Sequence, residues 1–248
     1  MTVLVVMTEP GAGAFAQCLT DLGIDAVPCP VTIIKPVVKD IQWPADLQAV
    51  AFSSAHAVRI YSRLNGPRQI PAFTVGSATA AEARAAGFHT VHDAASDVNG
   101  LAKTVAQECL PEAGSIGYPA ALDVAGDLAG ALRRKGYTVI QRPIYQAAAV
   151  ERLTESAELA LRTRTTTGAA FFSTRNAAIF CSLMVSAGHQ DFISGMQAWC
   201  LSDAIASALR GGAKRLQWKR IIVADASKAD AMARAIQQTA GRVNQYPD

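Results

Sequence analysis

Two stretches, VAFSSAHAVRIYSRL at residues 50–64 and AAFFSTRNAAIFCSL at 169–183, decide how this chain is read. Each opens on a short apolar run, crosses a pair of hydroxyl residues and continues at helical apolar spacing, as a buried strand feeding straight into a helix does. They set Phe52 against Phe172 and Ser53 against Ser173, 120 positions on. FTVGSATAAEARAAG at 73–87 matches WCLSDAIASALRGGA at 199–213 in the same way, pairing Gly76 with Ser202 at an offset of 126. A third match joins GSIGYPAALDVAGDLAGALRRKGYTVIQRPIY at 114–145 to the N-terminal MTVLVVMTEPGAGAFAQCLTDLGIDAVPCPVTI. Both of these read strand, Pro-containing turn, helix, Gly, strand, extended exit, so the order of matching parts is rotated between the halves. That rotation follows if one lobe is built from the N-terminal βαβ plus everything after about residue 149 and the other is inserted between about 37 and 142. Two extended crossings, Val31–Lys35 and Pro143–Ala148, then join them.

Outward from these stretches, β-branched runs alternate with alanine-rich helical segments, the pattern of parallel sheets covered by helices on both faces. Ten strands are expected, at 3–8, 25–29, 49–53, 72–76, 90–93, 115–118, 138–142, 169–173, 197–201 and 220–224, too many for one small lobe. The 48 alanines among 248 residues fit short helices lying close against sheets, because a methyl side chain permits close approach. Half the chain is apolar and 17% is charged, which excludes a disordered or fibrous protein. Lys and Arg number 23 against 20 Asp and Glu; a net charge of +3 is far below that of a dedicated nucleic-acid binder. The five cysteines, 18, 29, 109, 181 and 200, have no CxxC spacing and read as buried thiols in a reducing cytoplasm, with no metal implied. MTVLVVMTEP has no basic n-region, and no stretch reaches ~18 uninterrupted apolar residues, so the expectation is a soluble cytoplasmic protein with no membrane partner.

Familiar catalytic motifs are missing or incomplete. Gly11-Ala12-Gly13-Ala14-Phe15-Ala16 reads GxGxxA after a strand, but the acidic residue expected ~20 positions on is replaced by Pro28-Cys29-Pro30, so the bland reading is a Gly-rich turn and no cofactor is expected. His56, His89, His92 and His189 show no metal-ligand spacing, and His89 and His92 read as surface residues. No GxSxG elbow is present, and strands that end in Ser53-Ser54 and Ser173-Thr174 lack the Asp of a phosphoacceptor. What remains is a set of hydroxyl residues at strand-to-helix junctions: Ser53-Ser54, Ser77 with Thr79, Ser173-Thr174, and Ser202. Each alone reads equally as an N-cap. Together they would line the C-terminal edges of two parallel sheets and offer N–H dipoles and hydroxyls, with Arg59, Arg175 or Arg210, to a ligand carrying carboxylates. Tyr145, at the end of Arg142-Pro143-Ile144-Tyr145, is either a packed linker aromatic or a phenol overhanging a cleft, able to donate a proton to a leaving hydroxyl.

With these residues in place the chain resembles the uroporphyrinogen-III synthase family over nearly its whole length. The likeness is carried by VVMTEPGAGAFAQCLTDLG, FSSAHAV (52–58), PAFTVGSATAAEARAAGF (71–88), SDVNGLA (96–102), LRRKGYTVIQRPIYQ (132–146), FFSTRNAAIF (171–180) and CLSDAIASALR (200–210) followed by VADASKADAM. The resemblance implies two flavodoxin-like α/β lobes with parallel sheets, a discontinuous one of residues 1–32 and 149–248 and an inserted one of 37–142, joined by a two-stranded β-ladder of 31–36 and 143–148. It implies a monomeric, cofactor-independent lyase that closes hydroxymethylbilane, a linear tetrapyrrole with an acetate and a propionate on every pyrrole. The hydroxyl is lost to give an azafulvene cation, and ring D is inverted through a spiro intermediate. Residue by residue, it makes Tyr145 the candidate acid. It places Ser53, Ser54, Thr79 and Ser173, with Ser202 at a related turn, on the substrate, and Gly76, Ser77, Thr174, Arg175 and Pro10 at the same turns are expected beside them. The family commonly reads Thr-Arg-Pro where this chain has Thr8-Glu9-Pro10, and Asp203 is unusual beside an anionic substrate. Those departures keep two alternatives open: a non-catalytic two-lobed binder of a tetrapyrrole or other polycarboxylate and, resting on the Gly11–Ala16 turn, a nucleotide-dependent enzyme.

Overall fold

The structure, a computed structural model, describes residues 2–124, 126–211 and 216–240. In chain order the elements begin β1 (Thr2–Val6), α1 (Gly11–Asp21), β2 (Asp25–Pro28), β3 (Thr32–Pro36), β4 (Leu47–Phe52), α2 (Ala55–Tyr61), β5 (Ala72–Thr74), α3 (Ser77–Ala85) and β6 (Val91–Asp93). They continue with α4 (Val98–Glu108), β7 (Ser115–Ala121), α5 (Leu128–Arg133), β8 (Val139–Ala149), α6 (Glu155–Arg162), β9 (Thr166–Phe171) and α7 (Thr174–Ser186). The last are α8 (Gln190–Ile193), β10 (Gln197–Cys200), α9 (Asp203–Gly211), β11 (Arg220–Val223) and α10 (Ala229–Ala240).

The chain divides into two compact units, one holding the residues up to Ile33 and from Ala148 onward, the other Ile34–Ala147. The first unit's sheet has the order β11-β10-β9-β1-β2, and every pairing in it is parallel. The second sheet runs β3-β8-β7-β4-β5-β6, with parallel pairing from β8 to β6. Set side by side, β2-β1-β9-β10-β11 and β8-β7-β4-β5-β6 place the matched sequence segments at the same sheet positions, strand for strand. The strand order of each therefore reverses at one place, between β1 and β9 in the first unit and between β4 and β7 in the second.

The cores explain the composition. Strand β4 is buried along Ala49–Phe52; Ala49 and Ala51 face a cluster with Leu101, Val105 and Leu128, whereas Val50 and Phe52 face Val58, Tyr61 and Phe88. Strands β1 and β9 divide in the same way, Leu4 and Phe171 packing with Phe180, and Val3, Val5 and Ala170 with Phe15, Leu19 and Trp199. A strand covered on both faces needs apolar side chains on both, which is why these segments read as continuous apolar runs. Gly23 and Gly87 take φ of 76° and 93° just past α1 and α3, where the backbone turns back toward the sheet in a left-handed conformation that a Cβ disfavours.

Several expectations change. Strand β7 runs on through Pro119 to Ala121, past the expected end at 118; Thr32–Pro36 forms the strand β3 beside β8, which runs from Val139 to Ala149. Cys18 is exposed, not buried. His92 is half-buried in β6, stacked on Phe73 at 4.6 Å, rather than a surface residue. Lys214-Arg215, which the sequence reads as part of an ordinary solvated basic face, lies outside the described residues. No helix among the described residues is long and apolar enough to cross a membrane.

Gly168 pairs with Val3 on one side and Gln197 on the other. A Cβ there would run into the Gln197 carbonyl and the Trp199 ring. Gly168→Ala is expected to destabilise the protein by about 1–3 kcal/mol, read as a lower urea midpoint, because neither a sheet-bound carbonyl nor a buried indole can give way.

Candidate functional site

Open α/β sheets bind ligands outside the carboxyl ends of their strands where the strand order reverses. In the second unit that place is the end of β4 beside β7. Ser54 has the extended conformation of an N-cap, and its hydroxyl accepts the His56 N–H at 3.1 Å. Ser53, one residue earlier, has a different partner: its hydroxyl shares a hydrogen bond of 3.0 Å with the hydroxyl of Tyr118 on β7. Tyr145 on β8 lies opposite Ala121, the last residue of β7, which puts it at the same edge of the sheet. It is buried on the α2 side, and its ring centroid is 6.5 Å from that of His56. Among the described residues the Tyr145 phenol makes no hydrogen bond.

The next strand end carries Gly76, Ser77 and Thr79. Gly76 occupies the N-cap position of α3 and has no side chain to cap with; its carbonyl accepts the Thr79 and Ala80 N–H groups at 3.0 Å each. The Ser77 and Ala78 amides at the helix start have no protein acceptor among the described residues, and Ser77 is exposed, whereas the Thr79 side chain is only 5% exposed. An uncapped helix start of this kind attracts an anion through its N–H groups and the helix dipole.

In the first unit the corresponding place is the end of β1 beside β9. Ser173 caps α7, accepting the Asn176 N–H at 3.1 Å, with Thr174 exposed in the first turn. Beneath it the Thr8 and Thr32 hydroxyls are bonded to each other, and Thr32 donates to Asn176 Oδ1 at 3.4 Å. Thr32 and Asn176 are almost fully buried, so this chain of hydrogen bonds satisfies polar groups beneath the start of α7. Ser202 is half-buried at the start of α9, its carbonyl accepting the Ile205 and Ala206 N–H groups at 3.2 Å; Asp203 is exposed beside it. Pro10 is the exposed N-cap residue of α1.

Glu9 has a local use. Its carboxylate accepts the Gly13 N–H at 3.1 Å, supplying the cap that Pro10 cannot make. The second glycine of the GxGxxA turn is thereby engaged by the protein's own carboxylate, opposite to what a pyrophosphate cradle requires.

The cations are less available than the sequence reading supposed. Arg59 pairs with Glu82 at 2.6 Å, and Arg210 lies in the last turn of α9, two turns from the β10 end. Arg175 is exposed in the first turn of α7, near Ser173. A cavity of about 550 Å³ in the first unit, lined by Arg164, Thr166 and Phe192, opens at the beginning of β9, the opposite end of the strand from Ser173.

Electrostatics separates these groups further. Burial pushes the Tyr118 phenol above its ordinary value, the Ser53 hydrogen bond opposes this and neighbouring Tyr145 adds to it. Burial, aided by Arg59 and opposed by Glu82, holds His56 below its ordinary 6.5. Desolvation pushes the thiols of Cys29 and Cys200 up to about 12 and those of Cys109 and Cys181 up to about 11, so these four are poor nucleophiles at neutral pH. No three His, Cys, Asp or Glu side chains among the described residues come together as a metal site.

Each unit is thus an open parallel α/β fold with hydroxyls and helix-start amides at the place where its strand order reverses, the place where folds of this class bind ligands. The family model described as uroporphyrinogen-III synthase HemD matches residues 13–234, and the chain belongs to that family, cyclising lyases of haem biosynthesis. No curated protein matches the chain. Among solved structures it is similar to uroporphyrinogen-III synthetase from Helicobacter pylori 26695, at 17% identity and a TM-score of 0.64, covering 98% of this chain and 100% of that one. It is also similar to a mutant uroporphyrinogen III synthase from the extremely thermophilic bacterium Thermus thermophilus, at 16% identity and a TM-score of 0.49, covering 98% and 99%. The Helicobacter likeness shows the fold.

The sequence reading brought out the hydroxyls and weighed His56 only as a metal ligand, but passed over Thr32, Asn176 and Tyr118. Asn176 inside the apolar run FFSTRNAAIF was the one available signal, a polar residue at a position the helix buries.

Two expectations follow. Glu9→Ala removes the α1 cap and is expected to lower stability by about 1 kcal/mol, measured by urea unfolding. The unfolded chain protonates His56 near 6.5 and the folded chain only at lower pH, so the unfolded state binds more protons in that window and stability falls as the pH drops through it. His56→Asn should flatten that part of the stability profile, compared by urea unfolding at about pH 7.5 and about pH 5.5.

Proposed function

We propose that this chain closes hydroxymethylbilane to uroporphyrinogen III, with loss of water and inversion of ring D, and that the residues at its strand ends hold and prepare the substrate. The observation that carries the assignment of roles is the pairing of uncapped or hydroxyl-lined helix starts with a buried phenol that makes no hydrogen bond among the described residues. The substrate bears two carboxylates on every pyrrole and needs many donors. Ser53, Ser54, Ser173, Thr174 and Ser202 supply hydroxyls, the Gly76–Ser77 turn supplies amides, and Arg175 supplies charge at the α7 start. Pro10 and Thr79 shape the turns from which these donors project.

Tyr145 serves as the acid. Its phenol gives a proton to the departing hydroxyl, the C–O bond breaks, and water leaves an azafulvene cation that the pyrroles stabilise themselves. The enzyme's remaining work is geometric: it must hold the chain so that ring D attacks through its substituted carbon, forms the spiro intermediate and reopens before the ring closes. The proton released when ring D regains its aromaticity restores the phenol, and the protein ends unchanged. No cofactor or metal enters this account. The same reading makes the protein a monomer acting in the cytoplasm without a nucleic-acid partner, in keeping with a net charge of only +3. Glu9, which first raised the alternative of a non-catalytic binder, is accounted for by its bond to α1.

Purified protein given hydroxymethylbilane is expected to yield the type III isomer, and Tyr145→Phe to slow turnover about 100-fold, the usual worth of a positioned general acid. Product that is chiefly the type I isomer overturns the function. An unchanged rate for Tyr145→Phe returns Tyr145 to a packing role.

A further inference from the structure

His56 has no part in the steps above, yet it sits in the first turn of α2 directly after the Ser53-Ser54 pair, with its ring 6.5 Å from that of Tyr145 and tilted by 54°. The two rings are thus neighbours at the same edge of the sheet, without a hydrogen bond between them in the structure. The imidazole is half-buried, and its backbone N–H is fixed by the Ser54 hydroxyl, so the ring is carried on a rigid helix start rather than a loop. The charged and titratable groups around it are Arg59 on its own helix, Glu82 on α3 in an ion pair with Arg59, Tyr145 on β8, and Tyr118 on β7 next to Ser53. Among the described residues no carboxylate is bonded to the imidazole, whereas in the first unit His189 is held by Glu158 at 2.8 Å.

Resting on the reading of Tyr145 as the acid, we propose that His56 is a positioning residue for the ring closure, a neutral imidazole that donates its N–H to the Tyr145 oxygen as the phenolate forms. The proton balance is complete without a further reactant. The phenolic proton leaves with the substrate hydroxyl as water, the imidazole N–H steadies the phenolate, and the proton shed by ring D on closure returns to the phenolate. The imidazole must be neutral because the species formed beside it is a cation. An imidazolium there would place like charges together and raise the barrier to azafulvene formation. Burial and the neighbouring Arg59 guanidinium keep His56 uncharged at neutral pH against the smaller opposing effect of Glu82, which is ion-paired with Arg59.

The test combines a pH profile with a conservative rescue. For the wild-type chain, the rate of type III formation from hydroxymethylbilane should fall on the acid side with a midpoint below 6.5, the ordinary value for the group. His56→Gln keeps an N–H donor and cannot titrate, so it should retain most of the neutral-pH rate and lose that acid limb. His56→Leu should be about tenfold slower or worse at every pH, the worth of one hydrogen bond to a charged oxygen. A Gln variant with an unaltered acid limb, or a Leu variant as fast as wild type, overturns the proposal. A second measurement is independent of turnover. The His56 ring proton, followed by NMR across pH, should titrate at a lower midpoint in Tyr145→Phe, because the oxygen that accepts from the imidazolium is gone. An unmoved midpoint overturns the contact between the two side chains even if the enzyme is active. A wild-type chain that makes no type III isomer overturns the function instead and leaves the NMR comparison to decide the contact.

Discussion

A parallel strand covered by helices on both faces is lined mainly by apolar side chains, so most of the accessible polar chemistry of such a fold falls at the strand ends. That constraint organises both units. Ala49–Phe52 and Leu4–Val6 are sealed, and the first residues able to present a hydroxyl are Ser53 and Thr8 just beyond them. There the chain turns into a helix whose opening amides lack intrahelical partners. Where the fold supplies an acceptor, as with Ser54, Ser173 and Glu9, the helix is capped from within. Where it supplies none, as at Gly76, the amides stay available to a ligand. A polycarboxylate can thus be received by dipoles and hydroxyls, which explains how a chain with a net charge of only +3 can serve an anionic substrate.

Much of the fold was legible in the sequence for the same reason. Burial on both faces writes a continuous apolar run, and a helix that follows at once writes hydroxyls and then alanines at helical spacing, so the β4–α2 and β9–α7 segments announce themselves. The rotated repeat is matched by the sheet orders, because each βα segment keeps its neighbours wherever the chain happens to enter the unit. β3 was less visible. Thr32–Pro36 is bounded by Pro30 and Pro36 and pairs only with β8, so nothing within the segment separates a sheet-edge strand from an extended connection.

The site was legible only in part. Hydroxyls at strand ends could be read from local pattern, whereas their partners could not. Ser53 reaches Tyr118 across 65 positions and Thr32 reaches Asn176 across 144, and no local pattern encodes a contact at that range. Tyr118 shows the consequence: in the sequence it is an apolar strand residue followed by Pro119, and in the fold it is the hydrogen-bond partner of Ser53, while the next residue, Ser54, caps α2. Glu9 shows the converse. Its charge looked adverse beside a polyanion, and its side chain proves to be directed at the Gly13 amide of its own helix.

In the proposed function, helix-start amides and hydroxyls, rather than a field of cations, hold the substrate's carboxylates. The most direct measurement is an amide chemical-shift map of the isotope-labelled protein titrated with uroporphyrinogen III. The largest movements are expected at Ala55, Ser77, Ala78, Thr174 and Asp203, the first-turn amides at the strand ends. Shifts centred instead on the opposite end of the first sheet, around Arg164 and Phe192, with the helix starts unmoved, would contradict the account.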